Sequence, residues 1–152
     1  LVAEVSEKME IVESAQHWDV PASNSEVTRV TFDWAVSLLI ASGEATFEVR
    51  IEDEIRLEYA DDAGFTIDPE GEPRQLAPAL SLLRQPVDHV HALKSGELRI
   101  GLENGTTLHV GASDEFEPWE ISGPHGMRIV STPGGSLAVW RSEAQDVQVR
   151  RD

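Results

Sequence analysis

Two histidines one residue apart, His89 and His91, come nearest in this chain to the spacing of a metal site. Side chains alternate along a β-strand, so both imidazoles would project from one face, as two zinc ligands must. A third ligand is needed. The chain has no cysteine, so that ligand would be His109 or a carboxylate. A tight turn at Ser95-Gly96 would pair Leu93 with Leu98 and His91 with Ile100, turning both rings toward the apolar face. If Val90 and Ala92 line the core instead, both rings face solvent. In neither arrangement does His109 clearly share their face, because it alternates with Leu108. The plainer reading is a pair of exposed strand histidines, and no metal or cofactor is assigned.

Other candidates for chemistry are weaker. Glu115, Glu117 and Glu120 surround Trp119, but an acid–base pair needs one carboxyl desolvated and the other ionised. Nothing in the local sequence sets that up. Asp33 sits between Phe32 and Trp34, where alternation turns it to solvent. Pro133-Gly134-Gly135 lacks the following lysine and helix of a phosphate-binding loop and reads as a hairpin turn. No Gly-x-Ser-x-Gly elbow occurs. No catalytic residue is assigned.

Charge is the stronger signal. Twenty-eight Asp and Glu against twelve Lys and Arg give a formal charge of −16. Such a field repels nucleic-acid phosphates and anionic membranes and attracts a cationic partner. The excess is concentrated between Glu44 and Glu72, where eleven acids face only Arg50 and Arg56. The residues expected to meet a basic partner are Glu48, Glu52, Asp53, Glu54, Glu58, Asp61 and Asp62. A merely solvated face would explain the same residues.

The elements that position these groups follow from periodicity. A chain of 152 residues fits one domain, and 40% hydrophobic residues with four Trp can build a core. Val2, Val5, Met9 and Val12 recur at helical spacing, predicting an N-terminal amphipathic helix over residues 1–20 that packs on the domain or on a second copy. From Val27 to Trp140 the period is two. Phe32, Trp34 and Val36 alternate with Asp33 and Ala35, then Phe47, Val49 and Ile51 with Glu48, Arg50 and Glu52, and Ile55, Leu57 and Tyr59 with Arg56 and Glu58. Leu76, Ala79, Leu80 and Leu83 predict an internal helix near 75–84, ended by Pro86. Around Asn104-Gly105, a three-residue loop with Gly105 left-handed pairs Ile100 with Leu108 and Leu98 with Val110, gathering the large apolar groups on one face. Trp119 and Trp140 lie in apolar strands and are expected in the core. No apolar run spans a membrane and the first residues do not read as a signal peptide, which with the missing cysteine fits a cytoplasmic setting.

The two halves echo each other. Val27, Val30, Leu38 and Ile40 match Val87, Val90, Leu98 and Ile100 at an offset of 60. A duplicated strand–hairpin unit would explain this, and so would ordinary strand periodicity.

Several blocks carry a family resemblance: Leu76-Ala77-Pro78-Ala79-Leu80, Gly96-Glu97-Leu98-Arg99-Ile100, Phe116-Glu117-Pro118-Trp119-Glu120 and, most specifically, Pro133-Gly134-Gly135-Ser136-Leu137-Ala138-Val139-Trp140. On these the chain resembles, from Val27 to Trp140, a small, mostly actinobacterial family classed as a domain of unknown function. The resemblance implies one compact domain and transfers no activity.

The expected fold is α+β: a twisted antiparallel sheet or partly rolled barrel of seven to nine strands within residues 27–142, with the internal and N-terminal helices and a C-terminal tail over 143–152. The expected function is a non-catalytic module that binds a basic protein, an immunity or antagonist protein being its most concrete form. A small metal-binding protein or enzyme centred on His89 and His91, and a homodimeric structural subunit, are the alternatives.

Overall fold

A computed structural model describes residues 10–142. Alternation does what it predicts through most of this span: one side of most strands is buried, and the two sets of buried sides meet in a single core. Thirteen antiparallel strands form two sheets, seven strands in one and six in the other, with no closed barrel among the described residues. The first sheet runs in the order β1 (Val12–Glu13), β2 (His17–Val20), β8 (Val87–Leu93), β9 (Leu98–Leu102), β10 (Thr107–Val110), β6 (Ile55–Glu58) and β7 (Gly64–Ile67). The second runs β13 (Ser136–Trp140), β12 (Arg128–Thr132), β11 (Trp119–Ser122), β5 (Thr46–Ile51), β4 (Val36–Ala41) and β3 (Glu26–Phe32).

The echo at 60 residues has a structural counterpart. β3–β4–β5 is a meander in one sheet and β8–β9–β10 is a meander in the other. Each carries a β-bulge in its first strand, between Val27 and Arg29 and between Val87 and His89, again 60 apart. The chain then crosses over reciprocally. β6 leaves the first meander to pair with β10, and β11 leaves the second to pair with β5. The starts of the two meanders also pair, Glu26 opposite Pro86, with Val27 N–H donating to the Gln85 carbonyl and Val87 N–H to that of Ser25. Bulges bend a strand at a chosen point, so their recurrence at equivalent positions favours a duplicated unit over ordinary periodicity.

The expected α+β sheet or partly rolled barrel of seven to nine strands is instead a mostly-β pair of sheets, and further expectations are corrected. The N-terminal helix is not found over the described part of 1–20: Val12–Glu13 and His17–Val20 are strands. Trp18 and Val20 are buried while Asp19 is exposed, a period of two that the wider stripe concealed. Residues 1–9 and the tail 143–152 lie outside the described residues. The internal helix is a 3-10 segment, Pro73–Leu82, holding Pro78 within it. At three residues per turn Leu76, Ala79 and Leu82 face the core, and Leu80, expected inward, is 55% exposed. Finally, the alternating run Phe32 to Val36 is not one strand. Phe32 pairs with Val36 across a tight turn, with Asp33 N–H donating to the Ala35 carbonyl.

Other local readings hold. Gly105 is left-handed (φ +90°), Ile100 pairs with Leu108 and Leu98 with Val110. Trp119 is fully buried, and its indole N–H donates to the Gly96 carbonyl at 2.9 Å. Ser131 Oγ donates to the same oxygen at 2.7 Å, tying the second sheet to the β8–β9 turn. Trp140 departs from expectation: it is half exposed on edge strand β13, under the Arg128 guanidinium.

Candidate functional site

The sandwich sorts the seven candidate acids by strand direction. β5 and β6 belong to different sheets, so the acids along them do not share one face. Glu48 projects from the outer face of the second sheet, between Leu39 and Ser122 in register. Glu58 lies on the outer face of the first sheet beside Arg56, at 3.4 Å. Glu52, Asp53 and Glu54 form the β5–β6 turn at one end of the sandwich. Asp61 and Asp62 follow the other end of β6, near Ala60, which packs under Gly105. All are exposed except half-buried Asp53.

The end that carries Glu52 is the richer. Val36 pairs with Ile51 and Ile51 with Trp119, which sets the β3–β4 turn beside the β5–β6 turn and the loop before β11. Glu52 N–H donates to the Pro118 carbonyl at 2.8 Å. Arg50 crosses this end, reaching both Asp33 carboxylate oxygens at 3.1 and 3.2 Å and Glu52 at 4.0 Å. Glu52, Glu70, Phe116, Glu117 and Pro133 line one cleft. In the β3–β4 turn at the same end, next to Asp33 in sequence, stands Trp34, 77% exposed and left-handed at φ +72°. A bulky residue there is a conformational outlier. The alternating pattern hid it, because a turn that keeps Phe32 and Val36 in register reads as continuous strand.

The second gathering of polar groups is on the outer face of the first sheet. Val90 and Ala92 line the core, opposite Ile100 and Leu98, so His89 and His91 turn outward. This selects the second of the two registers open to the sequence. Leu108 is also buried, and His109 lies opposite Arg99, which lies opposite His91. His109 therefore does share their face, against expectation. β2 adds His17, whose ring stacks on His91 with centroids 4.0 Å apart, and His89 sits 4.4 Å from His91 on its other side. Four of the five histidines thus share one sheet face. A Cβ on Gly101 would come within 2.2 Å of His89, so the missing side chain makes room for that ring.

Asp19 contacts His91 at 3.5 Å, Asp88 contacts His89 at 2.8 Å and Ser14 Oγ contacts His17 at 3.2 Å. Burial, then the neighbouring His17 and His89, hold the His91 pKa below its ordinary value, with Asp19 opposing. Burial, then Arg99 and Arg56, lower that of His109. The three contacting rings lie against one another instead of converging on a point. Among the described residues no group of three His, Asp or Glu side chains is arranged to hold a metal ion. Glu115 and Glu117 are exposed, and Glu120 is ion-paired with Arg128. These three carboxylates share no desolvated pocket.

Fold and surface define an antiparallel two-sheet domain built from two bulged meanders, with several acids and an exposed tryptophan at one end and histidines on one outer face. Among the described residues no helix is long and apolar enough to cross a membrane. Residues 18–141 match the family described as "Family of unknown function (DUF6188)", and the chain belongs to that family. No curated protein and no solved structure matches it.

Proposed function

We propose that this domain is a non-catalytic interaction module that binds a basic protein through its acidic surface. The observation that carries the reading is the exposure of the acids. Six of the seven named carboxylates stand in solvent on turns and outer faces, where like charges repel in the free protein and a cationic partner relieves that repulsion. A charge of −16 also predicts fast, salt-sensitive association. An immunity or antagonist protein that neutralises a basic toxin or nuclease is the most concrete form of this proposal, in the cytoplasmic setting that the composition favours.

The test is affinity capture from native lysate at low and high salt, with wild-type protein and the triple variant Glu52→Lys, Asp53→Lys, Glu54→Lys. Basic proteins retained by wild type at low salt, released by salt and not retained by the variant are expected. Retention that ignores both salt and charge reversal would refute the reading.

A further inference from the structure

The two meanders each end their first hairpin in a left-handed residue, and the contrast between these residues is informative. In the second meander it is Gly96 (φ +93°), buried beneath other parts of the chain. A Cβ there would meet Gly135 at 2.9 Å and Ala112 at 3.0 Å, and Trp119 and Ser131 both bond its carbonyl. In the first meander the left-handed residue is Trp34 (φ +72°), with three-quarters of its surface in solvent. One turn is covered from within, while its counterpart carries a large aromatic ring where glycine would fit most easily. Backbone strain of this kind clusters at functional surfaces.

The surroundings of Trp34 favour one kind of occupant. Asp33 precedes it, and Arg50 links Asp33 to Glu52. Glu117 and Glu70 share the cleft with Glu52, while Asp53 and Glu54, next in the same turn, line a separate cleft with Arg56 and His109. Arg50 is engaged with two of these carboxylates. An exposed indole at an acidic end of the domain suits a cation lying over the ring, and arginine most of all, because its flat guanidinium can stack on the indole while its N–H groups reach carboxylates. Tryptophan is also the residue type most often found to anchor an interface.

We infer that the Trp34 turn and the adjoining Glu52–Phe116 cleft form the docking surface for an arginine-bearing segment of a partner protein. This inference rests on the proposed acidic-module function and gives it a location. The opposite end, with Asp61 and Asp62, supplies long-range attraction without a contact.

The test uses a nona-arginine peptide as the probe, titrated into the full chain at about 50 mM salt, where charge screening is modest. Four proteins are compared: wild type, Trp34→Ala, the pair Glu52→Gln/Glu117→Gln, and the pair Asp61→Asn/Asp62→Asn. The two pairs remove the same charge at opposite ends. Trp34→Ala should weaken binding about three- to tenfold, the range of a cation–aromatic contact. The Glu52/Glu117 pair should weaken it at least about threefold more than the Asp61/Asp62 pair. In wild type the Trp34 indole N–H resonance should shift while that of half-exposed Trp140 stays in place.

Circular dichroism checks that each variant is folded, and a spectrum unlike wild type for Trp34→Ala moves the decision to the indole resonances of wild type. Binding that ignores Trp34 and responds equally to both pairs would overturn the location and leave the acidic-module reading standing. No preference for nona-arginine over a nona-glutamate peptide would overturn both.

Discussion

Trp119 offers the sharpest test of how the two sheets are joined. Its ring is fully buried opposite Ile51, and its N–H shares the buried Gly96 carbonyl with Ser131. Trp119→Ala removes a large core side chain and should cost about 3–5 kcal/mol. Ser131→Ala should cost about 1 kcal/mol, since one donor to the carbonyl remains. Trp119→Phe keeps most of the apolar contact and also leaves one donor, so the lost bond again accounts for about 1 kcal/mol, with a smaller cavity term added.

The double variant Trp119→Phe/Ser131→Ala leaves the Gly96 carbonyl with neither donor. The orphaned acceptor should then make the double loss exceed the sum of the singles by about 1–2 kcal/mol. Trp140→Ala is the control. Half exposed at a sheet edge, it should cost under about 1 kcal/mol. Urea unfolding with linear extrapolation measures all five variants. Strict additivity of the double variant, or a loss below about 1 kcal/mol for Trp119→Ala, would refute the shared-acceptor account.

Two further predictions follow from the histidine face and the buried turn. Because His91 and His109 have folded pKa values below the ordinary 6.5, the unfolded chain takes up these protons first. Their contribution is therefore complete above about pH 6.5 and is lost as pH falls through the lower folded values. Urea midpoints should drop between pH 7.5 and 5.5 in wild type and drop less in His91→Gln/His109→Gln, and equal drops would contradict this. Gly96→Ala places a methyl at φ +93° against Gly135 and Ala112 and should cost about 2 kcal/mol or more in the same urea assay; a loss within about 0.5 kcal/mol would show that the turn can relax.

Much of the fold is legible because buried and exposed sides alternate wherever a strand has one wet face. Phe47, Val49 and Ile51 and the Gly105 register are read correctly on that ground alone. The offset of 60 residues is legible too, though only the paired bulges distinguish duplication from periodicity. The N-terminal strands are obscured because spacings of three and four between Val2 and Val12 outweigh the short alternation of His17 to Val20. The internal helix is legible but its phase is misread, because an α-helical stripe and a 3-10 stripe share Leu76 and Ala79 and part only at Leu80 and Leu82.

Pairings between distant strands leave no local mark. That β2 lies beside β8, and so stacks His17 on His91, is a consequence of topology. For the same reason the seven acids look like one face in sequence and divide between ends and sheets in space. The exposed position of Trp34 is hidden by its own apolar neighbours, which make the turn look like strand.

On the proposed function, a basic partner docks at the Trp34 end. Amide hydrogen exchange of this protein, alone and with the basic protein recovered by salt-sensitive capture, tests it most directly. The account predicts protection confined to residues 32–36, 50–54 and 113–118, with the histidine face and the Asp61–Asp62 turn unchanged. Protection centred on His17, His89 and His91, or none at the Trp34 turn, would contradict it.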